Sequence, residues 1–281
     1  KGGLHKKTVW TLKELVMVNQ DILDKKMIKS LISSPDISVE VYDSIDSTNL
    51  ELKRRIRDGY SFETADMLIV ANEQTGGRGR LGRTFESPKG SGIYMSFHIK
   101  PRNMEEDVML ITTAAAVAVA RGIYQTTGID SDIKWVNDIY VGMRKVCGIL
   151  AEAVTAPDGD YHIILGIGIN IVMPGDMFGE GVRDIAGALF SDVDEQNVSR
   201  NEIAAAVADS FLKIYGSISD REYMEEYRKR SLVIGKEVRY LRENEWHDAV
   251  VTGIDDDGGL QIEENGVNTT LRTGEITLRL R

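Results

Sequence analysis

Cysteine is nearly absent. Cys147 stands alone, so no internal disulfide can form, and the chain suits a reducing cytoplasm. Histidine is scarce as well, and His5, His98, His162 and His247 lack the spacing of a metal site. Positive charge is in deficit, with 34 Lys and Arg against 44 Asp and Glu for a net charge of -10. That balance disfavours non-specific nucleic-acid binding. The longest apolar run, Val108 to Ala120, is too short to span a bilayer and holds two threonines. It reads as a buried helix, and no membrane partner is expected. The opening residues lack the apolar core of a secretory signal. A G-x-S-x-G elbow is missing, and Cys147 sits in an apolar strand, where a thiol belongs to the core. No repeat or low-complexity tract is present. Covalent nucleophilic catalysis therefore has no signature here, and any chemistry should rest on charge and positioning.

What is there is a cationic glycine loop, Gly76-Gly-Arg-Gly-Arg-Leu-Gly-Arg83, with four glycines and three arginines in eight residues. Glycine lets backbone wrap closely around a ligand. Arginine supplies planar charged donors for carboxylate and phosphate. Gly77, Gly79 and Gly82 spell G-x-G-x-x-G, but a dinucleotide site needs that motif between a strand and a helix. The following Thr84–Gly92 holds a proline and two glycines and cannot be helical. The loop therefore joins strand to strand. It is not a phosphate-binding P-loop either, since no Gly-Lys-Ser/Thr follows.

Along the chain, residues 8 to 34 read as an amphipathic helix stopped by Pro35, and Val39–Tyr42 as a short strand. Thr48 and Glu51 form a capping-box pattern that opens a helix ending near Gly59. Strands follow at 67–72 and 93–99, then the buried helix from about Glu106 to Thr127. Strands at Ile133–Val136, Asp138–Val141, Val146–Val154 and His162–Ile171 are joined by tight turns. Ser199 with Glu202 caps a further helix, and another runs from about 220 to 230. The texture changes near Leu232. Beyond it lie five short strands and turns, expected to close into a small barrel. Asp255-Asp-Asp-Gly258 reads as a turn, because Gly253 occupies the first position of any calcium loop.

Four segments carry polar groups that packing does not require. Asp46-Ser-Thr-Asn49 sits at a helix N-terminus, where backbone N–H groups meet polar or anionic ligands, with plain capping as the alternative. Gln74 precedes the cationic loop. Lys134-Trp-Val-Asn-Asp138 is followed by Lys145 across a turn. A carboxylate beside a lysine suits a magnesium–phosphate group, and a surface ion pair is the alternative. Gly166-Ile-Gly-Ile-Asn170 places paired glycines in a strand, marking close approach by a ligand or backbone, or else a bulge.

Together these segments, with Arg144-Lys-Val-Cys-Gly-Ile-Leu150 and Gly274-Glu-Ile-Thr-Leu-Arg279, resemble the biotin protein ligases in order and spacing over about residues 37 to 281. The resemblance implies an α/β catalytic domain with a mixed sheet and flanking helices over 37–232. An SH3-like β-barrel would occupy 233–281, with residues 1–36 as a helical segment ahead of both. It implies ATP-dependent biotinylation of one lysine of a biotin carboxyl-carrier domain, through biotinyl-5'-AMP, with Mg2+. Ser47, Thr48 and Gln74 would hold the ureido ring, with Asn49 beside them. Gly77, Arg78, Gly79 and Arg80 would form the biotin-binding loop, and Lys145 would contact the biotin carboxylate and phosphate oxygens. Arg78, Arg80 and Lys145 would be the catalytic cations. Asp138 and Asn170 would lie at the magnesium side, Gly148 and Gly168 along the ligand, and Phe85 on the adenine. Glu275 and Arg279 would reach the ATP end.

The family usually has proline where Val136 stands and tryptophan where Phe85 stands. Neither change removes a charge, although Phe85 offers less stacking area. The 36 residues ahead of Ile37 are too few for a winged-helix domain, so operator DNA binding is not expected. Family members often form homodimers by sheet edges, and the resemblance extends that expectation here. A lipoate or octanoyl ligase shares the fold, but the Gln74–Arg83 loop and the C-terminal module favour biotin. A non-enzymatic biotin sensor is disfavoured by the acidic charge and the missing DNA-binding domain.

Overall fold

A computed structural model describes residues 21–60, 62, 67–101, 108–173, 186–191, 198–242, 245–272 and 276–278. The N-terminal helix expected over 8–34 is described only in its last part, as α1 (Lys25–Leu31), capped by the Asp24 carboxylate on the Met27 N–H. The remainder of that expectation lies outside the described residues.

The larger unit is a seven-stranded mixed sheet. Its strands are β1 (Ser38–Tyr42), β2 (Met67–Ala71), β3 (Gly92–Ile99), β4 (Asp132–Lys134), β5 (Asp138–Val141), β6 (Arg144–Thr155) and β7 (Tyr161–Asn170). Their order is β1-β2-β3-β7-β6-β5-β4. Only β1 and β2 run parallel, joined through α2 (Thr48–Arg57), as a parallel pair requires a crossover. The other neighbours are antiparallel.

Side chains alternate between the two faces of a strand, and the sheet uses this to separate core from site. Ile163, Leu165, Ile167 and Ile169 of β7 join the main core. There they meet α3 (Val108–Thr127) and α4 (Arg200–Gly216). Ile164 points the other way and packs with Leu52 and Ile56 of α2. Beyond Ile164 on this second face come Gly166 and Gly168, so the apolar cover gives way to open backbone.

The helix α3 has 20 residues and is long and apolar enough to cross a bilayer by length and composition. Here Leu110 to Ala120 are buried against α4 and the sheet. The alanines let α4 approach closely, and at Gly122 an added Cβ would lie 2.9 Å or less from Val207 backbone atoms.

The helix starts follow side-chain chemistry. Ser199 and Glu202 cap α4 as the expected box. At α2 the cap is Ser47, not Thr48, because the Thr48 hydroxyl is committed to Gln74. Glu51, expected to complete that box, bonds Arg54 and Arg55 instead. A last helix, α5 (Tyr223–Lys229), is shorter than the expected 220–230.

The second unit holds β8 (Glu237–Arg242), β9 (Glu245–Ile254), β10 (Leu260–Glu264), β11 (Val267–Leu271) and β12 (Ile276–Leu278), in the antiparallel order β11-β10-β9-β8-β12. Among the described residues β11 and β12 are its edges, and no pairing joins them into a closed barrel. The Asp255–Gly259 segment is a turn, as expected, with Asp255 Oδ1 accepting the Asp257 and Gly259 N–H groups. It docks on the first unit, where the buried Trp135 indole donates to the Gly258 carbonyl at 2.9 Å.

Gly122→Leu is expected to force α3 from α4 and destabilise the protein by about 1–3 kcal/mol or more, despite leucine's better helix propensity. Urea denaturation measures this, and an unchanged midpoint would refute the close packing.

Candidate functional site

The face of the sheet that carries α2 holds a cavity of about 290 Å³. Its floor is backbone. Gly148 of β6 pairs with Gly168 of β7, and Leu150 with Gly166, in unbroken register. The paired glycines therefore mark close approach and not a bulge, and two side chains make that approach. The Asn49 carboxamide lies over Gly166, where an added Cβ would meet its Oδ1 at 2.3 Å. The Phe85 ring lies over Gly168, where an added Cβ would meet it at 2.5 Å, and reaches across to Gly148.

One end of the cavity is a neutral polar pocket at the start of α2. Thr48 donates to Gln74 Oε1 through both its N–H (2.9 Å) and its hydroxyl (3.1 Å). Gln74 Nε2 donates to Ser87 Oγ at 3.0 Å. The buried Ser96 hydroxyl stands 2.6 Å from both Thr48 Oγ1 and Asn49 Oδ1. Asn49 Nδ2 then donates to Glu152 at 3.0 Å, and Glu152 pairs with Lys53 at 2.6 Å. Asp46 is gripped by Arg54 through two bonds of 2.6 and 2.9 Å, which hold its carboxyl below its ordinary range. Its carbonyl accepts the Gly76 N–H. The helix start and the cationic loop are thus tied together.

The other end is cationic. Arg78, Arg80, Arg83, Lys134 and Lys145 line it, against the carboxylate of Asp138 alone among the described lining residues. Lys145 Nζ lies 2.6 Å from Asp138 Oδ1. That imbalance, inside a protein of net charge -10, makes the cavity an anion site. Arg80 donates to Asn137 Oδ1 at 2.9 Å. Burial, with Asp138 beside it, pushes the Tyr140 hydroxyl up to about 12, so it stays neutral. Burial also raises the Cys147 thiol well above its ordinary value, which fits a core residue.

The cationic loop closes on itself. Phe85 N–H donates to the Gly77 carbonyl at 3.0 Å and Gly79 N–H to the Arg83 carbonyl at 2.7 Å. Leu81 and Gly82 take positive φ at its tip. Gly77 does not line the cavity. An added Cβ there would meet the Phe85 carbonyl at 2.3 Å, so its role is to let the loop fold back.

Of the other expected residues, Ser47, Thr48, Asn49, Gln74 and Gly79 line the cavity, as do Phe85, Asp138, Lys145, Gly148 and Gly168. Asn170 does not. It is buried at the end of β7 and donates its amide to the Gly187 carbonyl. Glu275 and Arg279 lie outside the described residues. Ser96, Glu152 and Tyr140 were not singled out from the sequence. The available signal for Ser96 was a hydroxyl at a strand position between Met95 and Phe97, both fully buried. Among the described residues no group of three or more His, Cys, Asp or Glu could hold a metal. One carboxylate suffices, however, for a magnesium ion held mainly by a nucleotide's phosphates, and among the described residues Asp138 is the carboxylate that lines the cavity.

Residues 41–170 match the Biotin/lipoate A/B protein ligase family, and residues 233–279 the Biotin protein ligase C terminal domain. The chain is 35% identical over 204 residues to the "Bifunctional ligase/repressor BirA" of Bacillus spizizenii, covering 70% of this chain and 61% of that protein. This chain thus spans less than two thirds of that relative's length. It is 27% identical over 237 residues to the "Biotin--[acetyl-CoA-carboxylase] ligase" of Mycobacterium tuberculosis, covering 82% and 85% of the two chains. A biotin protein ligase from Aquifex aeolicus, solved with biotin and ATP, superposes with a TM-score of 0.70 at 27% identity. The match covers 86% of this chain and 98% of that one.

Gly168→Val is expected to collide with the Phe85 ring and cost about 1–3 kcal/mol. In a Phe85→Ala background the same change should cost much less, a coupling that a double-mutant denaturation cycle reads directly. Equal costs in both backgrounds would mean that Phe85 does not rest on this floor.

Proposed function

The chain belongs to the biotin protein ligase family, and on that premise we propose that it joins biotin to a lysine of a biotin carboxyl-carrier domain at the cost of ATP. The observation that carries the reading is one cavity with a neutral hydrogen-bonding end and a cationic end over a glycine floor. A ureido ring is neutral and polar and suits Ser47, Thr48 and Gln74. A carboxylate and a triphosphate are anions and suit Arg78, Arg80 and Lys145.

In the first step the biotin carboxylate oxygen attacks the α-phosphorus of ATP and pyrophosphate leaves. Two anions must meet, so the barrier is largely electrostatic. Lys145 exchanges its partner Asp138 for the carboxylate and α-phosphate oxygens, and Arg78 and Arg80 close over the acyl phosphate. Magnesium would neutralise the departing pyrophosphate, with Asp138 as the protein's ligand. Asn170 acts from behind by holding the backbone at Gly187. Phe85 and the glycines Gly148 and Gly168 receive the flat part of the ligand. Glu275 and Arg279 are assigned to the ATP end on the family likeness. In the second step a neutral lysine amine of the carrier attacks the acyl carbon, an amide forms, AMP leaves and the amine loses a proton. The closed loop keeps water from the mixed anhydride in the interval.

In this reading residues 37–232 are the ligase unit and 233–281 the accessory β module. A homodimer through a sheet edge would use β1 or β4, the outer strands of the seven-stranded sheet. The lone buried thiol suits the cytoplasm, and the acidic charge suits a ligase that acts without nucleic acid.

The test is biotin-dependent exchange of labelled pyrophosphate into ATP, with lipoate as the parallel substrate. Exchange with biotin alone is expected, and exchange with lipoate alone or with neither would overturn the reading. Lys145→Ala should cut exchange by about 10²–10³-fold while the fold is kept, and wild-type exchange would remove Lys145 from the chemistry. Arg80→Gly should release biotinyl-AMP, detected as free adenylate and its hydrolysis products. Unchanged biotin affinity with no released adenylate would show that the loop is not the lid.

A further inference from the structure

The mechanism above gives Glu152 no part, and Glu152 does not line the cavity. It stands on β6 opposite Ile164, in the next pair on that face of the sheet after Leu150 and Gly166. Its carboxylate joins β6 to two residues of α2. Oε1 accepts from Lys53 Nζ at 2.6 Å and Oε2 from Asn49 Nδ2 at 3.0 Å. Asn49 and Lys53 are one helical turn apart and share a face of α2. An ionised carboxylate can only accept. The Asn49 atom that meets Glu152 is therefore its amide nitrogen, and its oxygen is turned to Ser96. That oxygen also can only accept, so it draws the single proton of the buried Ser96 hydroxyl. The same hydroxyl stands as close to Thr48 Oγ1, at 2.6 Å in each case. Thr48 directs its own proton to Gln74, and its oxygen keeps a lone pair for the cavity that it lines.

We propose that Glu152, held by Lys53, is a positioning residue that sets the direction of the hydrogen bonds at the neutral end of the cavity, so that Thr48 accepts from N–H groups of the ligand's head. The inference rests on the ligase reading for the ligand, a ureido ring whose N–H groups are donors, but not for the geometry. A carboxylate suits this task because it has no donor to turn inward. A carboxamide in its place has two ways to face, and Lys53 would choose between them. Its oxygen would go to the ammonium, the stronger donor, and its amide to Asn49. Asn49 would then turn over, donate to Ser96 and send the Ser96 proton to Thr48, which would lose its free lone pair. Lys53 also offsets the charge of Glu152, so this end of the cavity stays neutral.

The test is the isosteric change Glu152→Gln in the whole chain, read by calorimetric binding of biotin, by the KM for ATP in pyrophosphate exchange, and by nuclear Overhauser contacts of the Asn49 side-chain amide. Biotin affinity should fall about tenfold, the loss expected when a buried donor finds no acceptor, while the KM for ATP stays within about twofold. In an Asn49→Ala background the same change should add little. The Asn49 amide protons should lie against the Glu152 side chain in the wild type and against Ser96 in Glu152→Gln. Wild-type biotin affinity in Glu152→Gln would overturn the proposal. So would an equal loss for biotin and ATP, which would mean a general loosening of the site, or a full further loss in the Asn49→Ala background. If the wild type neither binds biotin nor exchanges pyrophosphate with it, the ligase reading falls. The amide contacts still decide the geometry, and an Asn49 amide against Ser96 in the wild type would remove Glu152 from its role.

Discussion

Two side chains rest on bare backbone, and the site depends on that contact. Asn49 lies over Gly166 and Phe85 over Gly168, at distances where any Cβ would collide. From Ile163 to Ile169 the strand β7 is otherwise isoleucine and leucine, buried on both faces. Had the alternation continued, the α2 face would have closed into a second core. The two glycines stop it, and the space they leave is the cavity. Because Asn49 belongs to α2 and Phe85 to the end of the cationic loop, the same contact sets where both segments sit.

Around that floor the polar groups divide by charge. At the start of α2 a buried chain of hydroxyls and amides runs from Ser87 through Gln74, Thr48, Ser96 and Asn49 to Glu152. Its members satisfy one another, and a satisfied buried network is rigid. It forms a preset acceptor and donor surface for a neutral head group. Opposite it, among the described lining residues, five cations face one carboxylate, although the whole chain is acidic. Concentrating positive charge inside a cavity strengthens it there, where water is scarce, and leaves the outer surface negative.

Much of this was legible along the chain. Strand positions followed from alternation, and the Ser199–Glu202 box from local chemistry. The loop between two strands followed from its proline and glycines. Elsewhere local reasoning lost to distant contacts. Thr48 looked like a cap, but a hydroxyl bonds whichever acceptor is nearest, and Gln74 is brought to it by the pairing of β1 with β2. Glu51 was drawn off by Arg54 and Arg55. The strand read through Val136 stops at Lys134, because the Trp135–Asn137 turn is gripped by Gly258, Tyr227 and Ile149. Glu152 gave no local signal, since a polar residue on a strand normally faces water.

The sequence by itself determined which residue types exist to do chemistry and in what order they come. It determined that no internal disulfide can form, and that glycine and arginine are gathered in one loop. These follow from composition and near-neighbour spacing, which act over a few residues. The tertiary structure alone decided which of those residues share a cavity and what each one touches. Lys145 meets Asp138, Arg80 meets Asn137 across 57 positions, and Asn49 meets Glu152 across 103. Such pairings depend on strand register and on which face of the sheet a side chain takes, and both are set by the packing of the whole core.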